Sequence, residues 1–397
     1  MTRLTGALGA AIAGAVVGAA LTLSLSSPAQ QRNAAIPDTP RDPIVGKAPI
    51  PTLLAWTPGG LPPGYASAVR DLDTVRAVVS VKSGVGWLSA WRDRDGALRT
   101  PAKGLRFPLE IAAANLSDYL AFVPPVDRAE FAELAEGQAI MGRTGAEIRD
   151  IGPGGVLRFG SISLTVRTVV DDELIGAHEV FVSTRTGERL GIFIPRYLLV
   201  APRGEVQAPA VERGLRRVLP VSTRLRVRAP GETPVFRHGD AVLPPVRLKE
   251  LFGEFGGVPN ADGTIDADPK WVRANIRRVQ LPILGSTSCH RLILPALRAV
   301  LQELARRGLD DLLDPGDFGG CFFPRFANLK TLSGISHHSW GVAVDVNVSQ
   351  NPLGAEPRLD RRVVDVFERW GFTWGGRWLV PDAMHFEFLR FPLVTKG

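Results

Sequence analysis

Two hydrophobic periods divide this sequence. Between about residues 64 and 235, apolar residues alternate or cluster in short β-branched runs: Val78-Val79-Ser80-Val81, Ser161-Ile162-Ser163-Leu164-Thr165-Val166-Arg167, Val180-Phe181-Val182 and Gly191-Ile192-Phe193-Ile194. A period of two places successive side chains on opposite faces of a strand. Turn signals such as Arg94-Asp95-Gly96 and Gly152-Pro153-Gly154-Gly155 separate these runs. One helical stretch is predicted among them, from Asp127 to Gly137, with Phe131 and Leu134 on one side. From Phe236 onward a helical period takes over. Leu297, Val300, Leu301 and Leu304 fall at i, i+3, i+4 and i+7 ahead of Gly308, and Val363, Val364 and Phe367 sketch a second amphipathic helix ending near Gly371. The pattern predicts an α+β chain, with a β-rich domain over 64–235 and a second domain over 236–397.

The segment ahead of these domains has a different character. Leu4 to Leu25 is uncharged and rich in Ala, Gly, Leu and Val, long enough to cross a bilayer core of about 30 Å as a helix. Residues 1–29 therefore read as a membrane anchor or a signal peptide. Ser27-Pro28-Ala29 offers the small residues a signal peptidase reads, while Pro28 and the length of the run favour a retained anchor. The lone Arg3 on the short flank directs everything after about residue 30 out of the cytoplasm. Prolines at 37, 40, 43, 49, 51, 58, 62 and 63 then make 30–63 a linker of extended, polyproline-like character.

With 397 residues, 45% hydrophobic and 22% charged, the chain is neither largely disordered nor a polytopic membrane protein. Its net charge of +7 favours anionic surroundings. The excess is scattered Arg, as in Arg224, Arg226 and Arg228, without the basic block interleaved with aromatics that nucleic-acid grooves use, so nucleic acid is not expected as a partner. No obligate protein partner is evident either. The β-rich domain lacks any cluster of His, Cys and carboxylates at ligand spacing, and its single His178 reads as an ordinary surface or core histidine.

The chemistry concentrates in Ser336-His337-His338-Ser339-Trp340-Gly341-Val342-Ala343-Val344-Asp345-Val346-Asn347. Alternation from Val342 to Val346 is that of a strand, with Ala343, Asp345 and Asn347 facing away from the valines. Small Gly341 and Ala343 leave room beside the carboxylate for a preceding histidine. A second strand, Met384-His385-Phe386-Glu387-Phe388, sets His385 and Glu387 on one face, with Asp382 just ahead in a turn begun by Pro381. Two imidazoles and one carboxylate with an open fourth position are the ligand set of a hydrolytic zinc site, where the metal acidifies water and polarises a carbonyl. A carboxylate off the metal, such as Asp382, is suited to move the proton. Each residue alone has an ordinary structural reading, and spacing by itself leaves both open.

Ser336-x-His338-x-x-Gly341-x-Ala343-x-Asp345, followed by Asp382-x-x-His385, resembles the zinc-dependent D-Ala-D-Ala carboxypeptidase (VanY-like) and L-Ala-D-Glu endopeptidase family of peptidoglycan peptidases. Trp370-Gly371-Phe372-Thr373-Trp374-Gly375-Gly376 ahead of Pro381-Asp382-Ala383-Met384-His385-Phe386-Glu387 looks like the same family's C-terminal signature. The resemblance covers about 236–397. It implies a hedgehog/DD-peptidase-like domain with a small antiparallel sheet and packed helices, Zn2+ on His338, Asp345 and His385, and Asp382 as general base. It further implies that Arg325 steadies the oxyanion and that Ser336 lies near the substrate, or else caps its turn; Glu387 is a candidate partner behind His385. His337 matches no family position. Many relatives carry Glu where this chain has Asp382, the shorter acid being that of the endopeptidase-like branch, which leaves the bond cleaved open.

In this context Cys289 and Cys321 are expected to form a disulfide in an extracytoplasmic compartment, tethering the Arg325 loop to the helical layer. The alternatives are a thiol nucleophile next to His290 or a structural zinc, but no further ligand pair is evident. The expected activity is hydrolysis of amide bonds in peptidoglycan stem peptides, in the periplasm or cell wall, by a membrane-anchored or secreted protein. The rival is a catalytically silent, zinc-containing wall-binding protein.

Overall fold

A computed structural model describes residues 51–328 and 333–390. The uncharged run Leu4–Leu25 and most of the Pro-rich segment lie outside the described residues. Among the described residues no helix is long and apolar enough to cross a membrane. The fold is mixed α+β, one large sheet with several small antiparallel ones.

Strands β1 (Leu53–Trp56), β2 (Val75–Leu88), β3 (Ala90–Arg92), β4 (Leu98–Arg99), β5 (Phe107–Ala114), β6 (Gln138–Gly142), β7 (Val156–Phe159), β8 (Ile162–Val170), β9 (Val180–Ser183), β10 (Pro195–Pro202) and β11 (Arg226–Arg228) form the large sheet. Its spatial order is β11-β1-β10-β2-β5-β9-β6-β8-β7-β3-β4. Pairing is antiparallel except between β5 and β9 and between β6 and β8. The period of two does what it predicts on β10: Leu198 and Val200 enter one hydrophobic cluster with Val78, Val211 and Leu215, whereas Tyr197 and Leu199 enter another with Val79, Val81 and Phe181. Burial of such side chains on both faces supplies about 1.5–3 kcal/mol each and holds the sheet between two layers.

Three expectations shift. The Pro-rich linker does not run to residue 63: Leu53–Trp56 is β1, its four apolar side chains buried and its backbone paired with β10 and β11. The helix predicted over Asp127 to Gly137 is only Arg128–Ala132, because Gly137 takes a left-handed φ of 77° and Gln138 already opens β6. Phe131 and Leu134 are nonetheless buried in one cluster, so the spacing foretold the face and not the helix length. Gly191-Ile192-Phe193-Ile194 is not itself a strand. Gly191, at φ 80°, closes the helix Thr184–Arg189, and β10 starts only at Pro195.

In the C-terminal part the helices Pro245–Phe252, Leu294–Arg306 and Arg361–Arg369 surround small sheets. These are β12 (Gly257–Pro259) with β13 (Ile265–Ala267), β14 (Ile276–Leu281) with β15 (Gly285–His290), and β16 (Phe326–Asn328) with β17 (Ser333–Ile335). A three-stranded sheet places β20 (His385–Phe388) between β18 (Ala343–Asp345) and β19 (Phe372–Trp374). Leu297, Val300, Leu301 and Leu304 are all fully buried, as the helical period required, and Gly308 ends that helix at φ 62°. Val363, Val364 and Phe367 are buried likewise, and the Phe367 ring stacks on Phe386 of β20 at 4.0 Å. That contact fixes the helix Arg361–Arg369 behind the strand that carries His385.

A buried charge cluster ties the C-terminal part to the large sheet. Glu179 receives Lys249 Nζ at 2.7 and 2.9 Å and Arg149 at 2.9 Å; Arg149 also pairs with Glu254, which Lys249 reaches at 3.0 Å. Two cations thus face two carboxylates. Burial alone would raise Glu179, but Lys249 and Arg149 hold it below the usual carboxylate range.

Candidate metal centre

β18 and β20 pair in a register that sets Asp345 opposite His385 and Ala343 opposite Glu387. Directly opposed residues share a sheet face, so all four side chains point the same way, and the small Ala343 methyl leaves space for Glu387. His338 arrives from a 3-10 turn, His337–Trp340, just ahead of β18. Ser336 Oγ accepts from His338 N–H at 3.3 Å, which caps the turn. Gly341 closes it at φ 67°, where a Cβ would stand 2.9 Å from His290 N. Only glycine fits both the backbone conformation and that approach.

Acceptor atoms of three residues converge. His338 Nε2 lies 3.1 Å from Asp345 Oδ2 and 3.2 Å from His385 Nδ1, and His385 Nδ1 lies 2.8 Å from Asp345 Oδ1. A tetrahedral zinc with bonds of about 2.0–2.1 Å spaces its ligand atoms at about 3.3 Å, close to this arrangement. The outward nitrogens of both rings are occupied. His338 Nδ1 is 2.8 Å from the Cys321 carbonyl, and His385 Nε2 is 3.2 Å from Glu387 Oε1. With a proton on each outward nitrogen donating to those oxygens, the inward nitrogens are left as lone pairs, which is the tautomer a metal needs. Residues and cation therefore fit.

The electrostatics agree. Burial disfavours a charged imidazole, yet hydrogen bonds to Asp345 and Glu387, together with their charges, push His385 up to about 10. Burial would raise Asp345, but the two histidines hold it far below its ordinary value. The position is built for positive charge. Asp382 behaves oppositely: burial raises it, and Asp345 and Glu387 add to the rise against the pull of His385 and His338. Its Oδ1 is buried without a hydrogen-bond partner among the described residues. The turn that holds Asp382 is tight, its N–H donating to Gly375 O at 3.0 Å, and a Cβ on Gly375 would come within 2.6 Å of Asp382 O.

The remaining candidates are placed as follows. Arg325 N–H donates to Ser339 Oγ at 3.0 Å, while its guanidinium donates to Phe326 O at 3.2 Å and lies over the Phe323 ring. Among the described contacts none joins that guanidinium to His338, Asp345 or His385. Cys289 and Cys321 stand at disulfide distance, with Cα atoms 5.3 Å apart, and the carbonyl of the same Cys321 orients His338. Sequence reasoning passed over two neighbours. His337 Nδ1 is 3.1 Å from Glu387 Oε1, and the Trp378 ring lies 5.2 Å from that of His385. Adjacency to a ligand hinted at His337; nothing in the spacing marked Trp378.

A His-Asp-His group able to hold a metal, on a mixed α+β fold, is what these features define. Residues 330–388 match the model of a family described as D-alanyl-D-alanine carboxypeptidase, the VanY-like resemblance carried by the motifs of this region. No curated protein matches the chain. Among solved structures, 45% of the chain is similar to 88% of the periplasmic region of MacB from Actinobacillus actinomycetemcomitans, at 10% identity and a TM-score of 0.32. The same share is similar to 98% of the extracellular domain of the noncanonic ABC-type transporter YknZ from Gram-positive bacteria, at 14% identity and a TM-score of 0.31. The family match supports a peptidoglycan peptidase in general terms.

Proposed function

We propose that the C-terminal part, 236–397, is a zinc-dependent peptidase of hedgehog/DD-peptidase-like fold that hydrolyses an amide bond in peptidoglycan stem peptides. The observation that carries this reading is the convergence of His338, Asp345 and His385 on one point, with the half-buried Asp382 carboxylate, its Oδ1 without a hydrogen-bond partner among the described residues, within electrostatic reach. When bound, zinc supplies a Lewis acid for the scissile carbonyl and acidifies water. Asp382 accepts the proton from the attacking water and returns it to the leaving amine. Burial supports this role, because a carboxylate raised from its ordinary value is a stronger base and, once protonated, still a competent acid. Arg325 is assigned to the oxyanion and Ser336 to the peptide by their motif positions. Glu387 holds the Nε2 proton of His385 and so fixes the ring.

In this reading the β-rich part, which takes in β1 (Leu53–Trp56), is an accessory domain, the Pro-rich chain ahead of β1 a spacer and 1–29 an anchor or signal that places the enzyme outside the cytoplasm. The +7 charge suits an anionic envelope. Whether the bond is that of a D,D-carboxypeptidase or of an L-Ala-D-Glu or D,D-endopeptidase is decided by mass spectrometry of purified muropeptides incubated with the zinc-loaded protein. Loss of one terminal D-Ala identifies the first; separation of L-Ala from the stem, or of cross-linked stems, the second. Asp382→Asn is expected to keep zinc while losing about 100- to 10,000-fold in kcat. Intact muropeptides after incubation with protein holding one zinc per chain would leave only the wall-binding alternative.

A further inference from the structure

The loop from Gly375 to Met384, which joins β19 to β20 and carries Asp382, is held from outside the peptidase core. Both backbone polar groups of Leu379, three residues ahead of Asp382, bond to side chains from outside the loop: Arg224 of the β-rich part, and Asp240 in the segment that directly follows that part. Leu379 N–H donates to Asp240 Oδ2 at 2.7 Å, and Leu379 C=O accepts from Arg224 at 3.1 Å. Arg226, on β11, reaches the Arg377 carbonyl at 3.5 Å. The Leu379 side chain packs against the cluster of Trp56, Tyr197 and Leu199 beneath the large sheet. This loop is therefore seated on the sheet edge by its backbone and by its side chain.

Asp240 is the centre of that seat. Its side chain is nearly buried, and its second oxygen accepts from Arg228 of β11 at 2.7 Å, with Arg226 3.8 Å away. Arg228 in turn donates to the Gly239 and Arg237 carbonyls at 2.7 and 3.1 Å, which fixes the backbone on which Asp240 stands. A carboxylate locked on one oxygen offers the other in a set direction. On the far side of Leu379, Trp378 packs against His385, and Asp382 N–H returns to Gly375 O. A shift of Leu379 is thus transmitted to both ends of the turn that presents the proton-moving carboxylate.

We propose that Asp240, with Arg224, is a positioning residue for Asp382, so that the β-rich part, through Arg224 and through the Arg228 that clamps Asp240, sets the geometry of the peptidase site instead of serving only as a spacer. The proposal rests on the reading of the C-terminal part as a peptidase. The test compares Asp240→Ala and the milder, exposed Arg224→Ala with Glu254→Gln, which weakens another contact between the same two parts without touching the loop. Zinc content, kcat and KM on muropeptides, and amide hydrogen exchange of 375–384 are measured on the full chain. The expected result is about a 10- to 100-fold lower kcat for Asp240→Ala and a smaller fall for Arg224→Ala, with KM within about twofold and zinc content unchanged. Exchange at Leu379 and Asp382 is expected to quicken in both, while Glu254→Gln alters neither kcat nor loop exchange. Unchanged loop exchange in Asp240→Ala and Arg224→Ala, or an equal loss of kcat in Glu254→Gln, overturns the proposal. An inactive but zinc-replete unmodified protein sinks the peptidase reading instead, and the exchange data still decide whether Asp240 holds the loop.

Discussion

His385 Nδ1 lies 2.8 Å from Asp345 Oδ1 across the β18–β20 pair, two residues that the register sets directly opposite each other. The ladder that stabilises the small sheet therefore also fixes the spacing of two of the three residues proposed to hold the metal. Behind them Glu387, one pleat along β20, sits opposite Ala343 and holds the outer nitrogen of His385.

Glu387→Gln removes the charge that steadies His385 while preserving shape. Zinc affinity, measured by competition with a chromophoric chelator, is expected to fall about 10- to 100-fold, and the protein to remain folded by circular dichroism. Asp345→Asn, which alters a proposed ligand, is expected to cost more than Glu387→Gln in the same assay.

Lys249 and Arg149 neutralise Glu179 and Glu254 in the interior. Lys249→Met leaves buried negative charge in excess, and denaturant unfolding is expected to show a loss of about 3–5 kcal/mol. A loss below about 1 kcal/mol means that solvent reaches the cluster.

Acid should weaken the fold before it protonates most carboxylates. Burial, with lesser contributions from nearby arginines, lowers His178 and His290 from 6.5 to about 4. The unfolded chain then binds more protons than the native one between those values, so stability is full above about pH 6.5 and falls as pH drops towards 4. Between pH 7 and pH 5 the two groups together should cost about 2–4 kcal/mol, read from denaturant midpoints of zinc-free protein. His385, raised in the fold, stays protonated throughout this window, and its stabilising effect is lost only as pH climbs towards about 10.

Cys289 and Cys321, 32 positions apart in sequence, stand at disulfide distance. Replacing both by Ala is expected to cost about 3–4 kcal/mol in the chain-entropy account. Because the Cys321 carbonyl orients His338, zinc affinity should fall alongside stability. A stability loss with unaltered zinc affinity would show that the loop backbone holds without the bridge.

Local pattern was enough to mark the site's parts. His338 and Asp345 lie within eight residues of each other, and His385 and Glu387 sit at i and i+2 on a single strand, so period two already put His385 and Glu387 on one face. The helices around Leu297–Leu304 and Val363–Phe367 were equally legible, because a 3.6-residue stripe is written in consecutive sequence. The limits of Asp127–Gly137 and Gly191–Ile194 were not. There, left-handed glycines and the demands of β6 and β10 ended elements that composition alone would extend.

What the sequence determined by itself is the set of chemical groups and the face of each short element on which they stand, since both follow from residue type and local periodicity. Only the tertiary structure decided how the groups meet. The β18–β20 register brings Asp345 to His385, the Cys321 carbonyl selects the His338 tautomer, and Asp240 reaches Leu379 across 139 positions of chain. Such contacts are unreadable from spacing because their geometry is set by the packing of distant elements, where burial energy summed over many side chains overrides any local preference.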